Sequence, residues 1–152
     1  MKESEGISKL FEDLYNGKPW IDVSLAGTLG NISAKQAAKK ISSESNSIWE
    51  IVNHLISWRQ HILQRIQGSK INVAGDNYFA VINDTSESAW QDTLKRLEDS
   101  QKQWISFLKN FKETDFEIVN PNNNMTNYEH IHGIIQHDAY HLGQIVMLSK
   151  SV

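Results

Sequence analysis

Four stretches of this chain bring apolar residues back every three or four positions, and no stretch alternates them long enough to argue a sheet. A chain patterned this way buries its stripes helix against helix. The first stripe is Ile7, Leu10, Phe11 and Leu14, a helix from about Ser4 to Tyr15 that Gly17 stops. The second begins at Ser47, where Glu50 completes a capping box, and runs to Gly68 with Ile48, Val52, Leu55, Ile62 and Ile66 on one face. The third runs from about Glu87 to Asn110 through Trp90, Leu94, Leu97, Trp104 and Leu108. The fourth opens with a capping box at Thr126-Asn127-Tyr128-Glu129 and continues to about Ser149 through Ile131, Ile134, Leu142, Ile145 and Leu148. A long connection through Pro19 and Trp20 joins the first two, and Ser33 with Gln36 caps a short helix within it to about Lys40. Glu117 to Val119 is expected as an extended, strand-like loop. The expectation is an all-α, single-domain four-helix bundle over residues 1–152, with a long first connection.

Composition removes several classes of function. With 39% hydrophobic residues, five Trp and five Phe among them, 152 residues can bury one sizeable core. A formal charge of -3 without a block of like charges leaves no electrostatic footprint for nucleic acid or an anionic membrane surface. Neither partner is expected. No segment approaches about 18 consecutive apolar residues, and Met1 to Tyr15 lacks the apolar centre of a signal peptide, so a soluble, cytoplasmic protein is expected. There is no cysteine, which excludes disulfides, thiolate metal sites and a Cys nucleophile. Any metal must be held by His, Asp or Glu.

Chemistry concentrates in the histidines. His137 and His141 are four residues apart on the fourth helix, which stacks two imidazoles on one face, roughly 6 Å apart in height. Both can reach one ion. Measured around the helix from His141, His137 lies about 40° and Gln144 about 60° to the same side, with Ile134, Asp138, Ile145 and Leu148 within about 60°. The pair therefore faces the bundle interior. His132 falls about 180° away and is expected in solvent, whereas His130 shares the stripe but lies about 10 Å further along the axis, too far for the same ion. A third ligand must come from a facing helix. The second helix offers His54, near mid-bundle, and His61, on one stripe with Ser47, Ile51, Trp58 and Arg65. Such a polar strip is either the wall of an internal cleft or a plain amphipathic boundary, and His61 is either a further ligand or a core-edge residue.

The segment Trp49-Glu50-Ile51-Val52-Asn53-His54-Leu55-Ile56-Ser57-Trp58, continued by Ile62 to Gly68, resembles the first signature of the DinB-like superfamily. His137-Asp138-Ala139-Tyr140-His141-Leu142-Gly143-Gln144-Ile145 resembles its second, the His-x-x-x-His-x-Gly-Gln-Ile pattern. The resemblance spans nearly the whole chain, including helix count and the long first connection. It implies a four-helix bundle holding one divalent metal, zinc or nickel, through His54, His137 and His141. It also implies a possible homodimer.

Three histidines on one ion leave positions for water or substrate, as in catalytic rather than structural sites. The branches of the superfamily that the chain resembles include bacillithiol S-transferases and mycothiol-dependent isomerases, which implies a metal-dependent transferase acting on a small-molecule substrate with a low-molecular-weight thiol such as bacillithiol. A hydrolase is the alternative: His137-Asp138-x-x-His141 has the outline of His-Glu-x-x-His, with Asp138 at the general-base position. Asp138 can equally orient an imidazole. Gln144, one turn past His141, is a second candidate for substrate contact, and Trp58 and His61 are candidates for contact with a cosubstrate. A di-iron site is excluded, because Glu129-His130-Ile131-His132 provides one carboxylate and histidine pair without a second. The third reading is a non-catalytic, stress-associated metal-binding protein. A cavity beside the ion lined by Trp58, Trp20 or Tyr78 favours catalysis, and a fourth protein ligand favours a structural site.

Overall fold

The computed structural model describes residues 1–152 and contains six α-helices and no strands. Four are long: α1 (Glu3–Asn16), α4 (Ile48–Ile66), α5 (Glu87–Lys109) and α6 (Asn127–Ser149). Two short ones, α2 (Leu25–Leu29) and α3 (Ala34–Ala38), lie in the first connection. A 3-10 turn at Glu113–Glu117 follows α5. Contacts run α1 to α5, α5 to α4, α4 to α6 and α6 back to α1, which closes a four-helix bundle. No helix is long and apolar enough to cross a membrane.

The ends of the helices follow the capping chemistry. The backbone N–H of Glu50 donates to Ser47 Oγ while the Ser47 N–H donates to Glu50 Oε2, and the same exchange occurs between Thr126 and Glu129 and between Ser33 and Gln36. At the other end of α4, Gly68 takes φ 91°, a left-handed conformation that costs a glycine nothing, and turns the chain out of the helix. Helix α2 has no counterpart in the apolar periodicity. It is a single turn capped by Ser24, whose Oγ accepts from Gly27 N, and it buries Leu25 and Leu29. The strand-like loop forms one antiparallel bridge, Val119 with Thr126, around a turn in which Asn120 N donates to the Met125 carbonyl. Glu117 itself closes the preceding 3-10 turn.

The core is two apolar clusters with a polar layer between them. One gathers Leu25, Leu29, Trp49, Val52, Leu55, Trp90, Leu97, Leu142 and Ile145; the other gathers Ile7, Phe11, Ile62, Trp104, Leu108, Ile131 and Ile134. Arg59 on α4 lies between Leu55 and Ile62, and Asp138 on α6 lies between Ile134 and Leu142. Both are fully buried and joined by Arg59 Nε to Asp138 Oδ2 at 2.7 Å. Arg59 Nη1 also donates to Gln101 Oε1 at 3.0 Å and Ser100 Oγ at 3.3 Å on α5. Gln101 Nε2 in turn donates to the Phe11 carbonyl of α1, so the layer ties all four long helices at one level. A buried charge pair stabilises little against an apolar replacement, but removing one member leaves the other buried and uncompensated.

Candidate metal centre

Antiparallel packing of α4 and α6 places His54 opposite His137, with His141 one turn away on the same face. One nitrogen from each of the three rings lies within 4.8 Å of the other two, and the group contains no carboxylate. His54 and His141 are buried; His137 sits at the wall of the groove. Their immediate partners settle which nitrogens are free. His54 Nδ1 is 2.7 Å from the Asn77 carbonyl, which only accepts, so Nδ1 carries the proton and Nε2 is left with its lone pair. His141 Nδ1 is 2.7 Å from Gln144 Oε1, and Gln144 is oriented by its own donation from Nε2 to the Tyr140 hydroxyl at 3.0 Å. Nε2 of His141 is therefore free as well.

His137 tests whether a cation fits. Its Nε2 is 2.9 Å from His54 Nε2, so without an ion the proton must lie on His137 Nε2. That leaves His137 Nδ1 an acceptor, buried and without a hydrogen-bond partner, 3.8 Å from Asp138 Oδ1, which is also buried without one. Two unpaired buried acceptors side by side are costly. Moving the proton to Nδ1 turns the pair into donor and acceptor, and leaves three Nε2 lone pairs converging on one point. Divalent ions with imidazole affinity are bound by this donor set, and nitrogens at about 2.0–2.1 Å from one ion lie roughly 3 Å apart, as His54 and His137 do. The residues fit a divalent metal.

Electrostatics favour neutral rings. Burial pulls His54 down to about 4, against the opposing hydrogen bond to Asn77, and the other two imidazoles push in the same direction as burial. His141 is also lowered, chiefly by burial. Neutral imidazoles at physiological pH are what a metal requires. Phe79 stacks on His54 at 3.9 Å between centroids and 11° between planes, which fixes the ring and keeps water off one face.

The histidines open onto a cavity of about 550 Å³ between α4 and α6, within the range of small-molecule sites. Trp58, Ile62, Ile134, Tyr140 and Gln144 line it, together with Arg65 and His130 at the far end.

A family model for the DinB superfamily matches residues 24–145. The chain belongs to the DinB superfamily. No curated protein matches it. A crystal structure of a conserved protein from Enterococcus faecalis is similar in fold, with a TM-score of 0.72 at 15% identity over 99% of this chain and 96% of that one.

The remaining expectations for this DinB-superfamily chain fare differently. Asp138 is fully buried, ion-paired with Arg59 and absent from the cavity wall, with Oδ1 3.8 Å from His137 Nδ1 and without a hydrogen-bond partner. Trp20 is 96% exposed and does not line the cavity, because the long first connection caps the end of the bundle with Leu25, Leu29 and Ile32 instead. His132 is not free in solvent: it packs on Tyr128 with its Nε2 3.6 Å from Glu3 Oε1, since the face opposite the groove meets α1. His61 stays outside the trio, 2% exposed, with Nδ1 2.8 Å from the Tyr78 hydroxyl and Nε2 accepting from Arg65 Nη2 at 2.7 Å. Burial lowers it first, and then the Arg65 charge. Asn77 and Phe79 contact His54 and carry no periodic signal. They sit on the connection between α4 and α5, where Asn77 and Tyr78 take φ 52° and 64°, and their one trace in the sequence is the pair of adjacent aromatics Tyr78 and Phe79.

Proposed function

We propose that this DinB-superfamily chain is a metal-dependent transferase that joins a low-molecular-weight thiol to an electrophilic small molecule. The observation that carries the reading is the convergence of three imidazoles, without a carboxylate or fourth ligand, on the wall of a cavity large enough for substrate. A divalent ion, zinc or nickel, would be held by His54, His137 and His141, and when bound it supplies Lewis acidity that favours the thiolate form of a cosubstrate. The chain's own residues do the rest. The Asn77 carbonyl and Gln144 hold the Nδ1 protons of His54 and His141, which keeps both rings aimed at one point. Asp138, fixed by Arg59 and with Oδ1 3.8 Å from His137 Nδ1, would favour the Nδ1-protonated tautomer of His137 through its charge. Phe79, Trp58, Ile62 and Ile134 give the cavity apolar walls that keep water from competing with the thiol. A chain without cysteine suits this chemistry, since the sulfur arrives with the cosubstrate.

The test is turnover by the metal-loaded protein of an electrophilic aryl halide with bacillithiol, mycothiol or coenzyme A, set beside hydrolysis of an activated ester without thiol. Thiol-dependent consumption that disappears in His141→Ala is the expected result. Ester hydrolysis without thiol turnover would replace the reading with a hydrolase, and no turnover in either assay would leave a metal-binding protein that is not an enzyme.

A further inference from the structure

Seven residues from the trio on both helices, the groove repeats itself with different chemistry. His61 on α4 and His130 on α6 occupy the level next to His54 and His137, about 10 Å along the antiparallel pair. Both histidines are almost fully buried, at 2% and 3% exposure. Neither belongs to the three-histidine cluster, and each Nε2 accepts from a protein donor. Arg65 Nη2 donates to that of His61. Asn123 Nδ2 lies 3.0 Å from that of His130, with the amide's orientation fixed by Met125 N donating to Asn123 Oδ1. The result is a level with donors and a full positive charge. Arg65 has no carboxylate within ion-pair distance, and its one side-chain partner is a neutral imidazole. Glu129 is the one acidic residue on the cavity wall, and its Oε2 is turned into the helix cap, accepting from Thr126 N at 2.7 Å and Thr126 Oγ at 3.0 Å. The N-terminal turn of α6 adds its partial positive charge at the same end.

We propose that this far end of the cavity is an anchoring subsite for a carboxylate, with Arg65 as the binding cation, and that the ligand it selects is an elongated small molecule whose other end reaches the three histidines. An unpaired guanidinium on the wall of a cavity can match a carboxylate through two parallel hydrogen bonds. The apolar stretch between the two levels, Trp58, Ile62 and Ile134, suits the uncharged middle of such a molecule. His61 holds the guanidinium from behind, and the Tyr78 hydroxyl holds His61. The proposal rests on the transferase reading only in saying what occupies the histidine end.

The test uses four ligands of one chain length, ω-mercaptooctanoate, octanoate, ω-mercaptooctanol and octanol, titrated calorimetrically into metal-loaded wild type and Arg65→Gln. Each carboxylate should bind about tenfold or more tightly than its alcohol in wild type, and by less than about threefold in Arg65→Gln. The preference for thiol over methyl should be the same in both proteins. Arg65 is partly exposed at the last turn of α4, so the variant is expected to fold, and an unchanged helical circular dichroism spectrum checks this. Equal binding of carboxylate and alcohol, no measurable binding of either carboxylate, or a preference that survives Arg65→Gln would overturn the subsite. Loss of the thiol preference with the carboxylate preference intact would instead overturn the thiol part of the functional reading, so the two failures are separable.

Discussion

The groove between α4 and α6 holds two facing pairs of histidines, His54 with His137 and His61 with His130, one heptad apart and alike in helix geometry. They differ in what each ring's partner does. At the first level the partners of His54 and His141 are acceptors, the Asn77 carbonyl and Gln144 Oε1, which draw the proton to Nδ1 and leave Nε2 free for a cation. At the second level the partners of Nε2 are donors, Arg65 and Asn123, which consume the lone pairs and leave a positive charge facing the same cavity. The lesson is that histidine spacing selects a face, and the hydrogen bond on the far nitrogen selects the chemistry.

The strongest way to break the contrast is from below, through the polar layer that supports His137. Arg59→Met strands Asp138 as an uncompensated buried carboxylate and should cost about 3–5 kcal/mol in urea unfolding, whereas the same change at Arg65 should cost well under half of that. Equal losses would mean that Asp138 does not depend on Arg59 for compensation of its buried charge. Next in size, Gln144→Ala should weaken affinity for zinc about 10- to 100-fold in a competition titration with a chromophoric chelator, because it frees the His141 ring. Tyr78→Phe, the corresponding change at the second level, should leave zinc affinity within about threefold, since Tyr78 orients a ring that does not face the ion.

A smaller effect comes from pH. His54 titrates near 4 in the fold against 6.5 in an open chain, so between those values the unfolded chain binds the extra proton. Stability of the metal-free protein is complete above about pH 6.5 and falls as pH drops toward 4, by about 1–2 kcal/mol for a ring at a cavity wall. His141, His61 and His130 are shifted in the same direction and add to the slope. Denaturant midpoints across this range should flatten in His54→Asn, and a slope unchanged by that substitution would assign the acid sensitivity to other groups. Smallest of all, Trp20→Ala should change stability by under about 0.5 kcal/mol and zinc affinity not at all, because the indole is outside the groove and almost wholly in solvent.

Much of this was legible in the sequence because it is carried by local periodicity. The three capping boxes mark the starts of α3, α4 and α6, and the rotation of His137, His141 and Gln144 about one axis puts them on a common face. Legibility ends where the determinants are long-range or aperiodic. Asp138 lies on the same inward face as the histidines, so its sequence position alone leaves it free to be a base; only the arrival of Arg59 from α4 assigns it to a buried pair. The connection carrying Asn77, Tyr78 and Phe79 has neither helix nor strand pattern, yet it sets the tautomer of His54 and closes one side of the ring. His132 shows the same limit in reverse. Its angle on the helix correctly excludes it from the groove, but a helix in a closed ring of four has neighbours on two sides, and α1 meets it there.

The central claim is that three of these histidines, and not the neighbouring pair, hold a divalent ion. Elemental analysis by mass spectrometry of protein purified without a nickel column, in wild type, His137→Ala and His61→Ala, tests it most directly. About one zinc or nickel per chain is expected in wild type and His61→Ala and essentially none in His137→Ala. Equal metal content in wild type and His137→Ala, or equal loss in both variants, would contradict it.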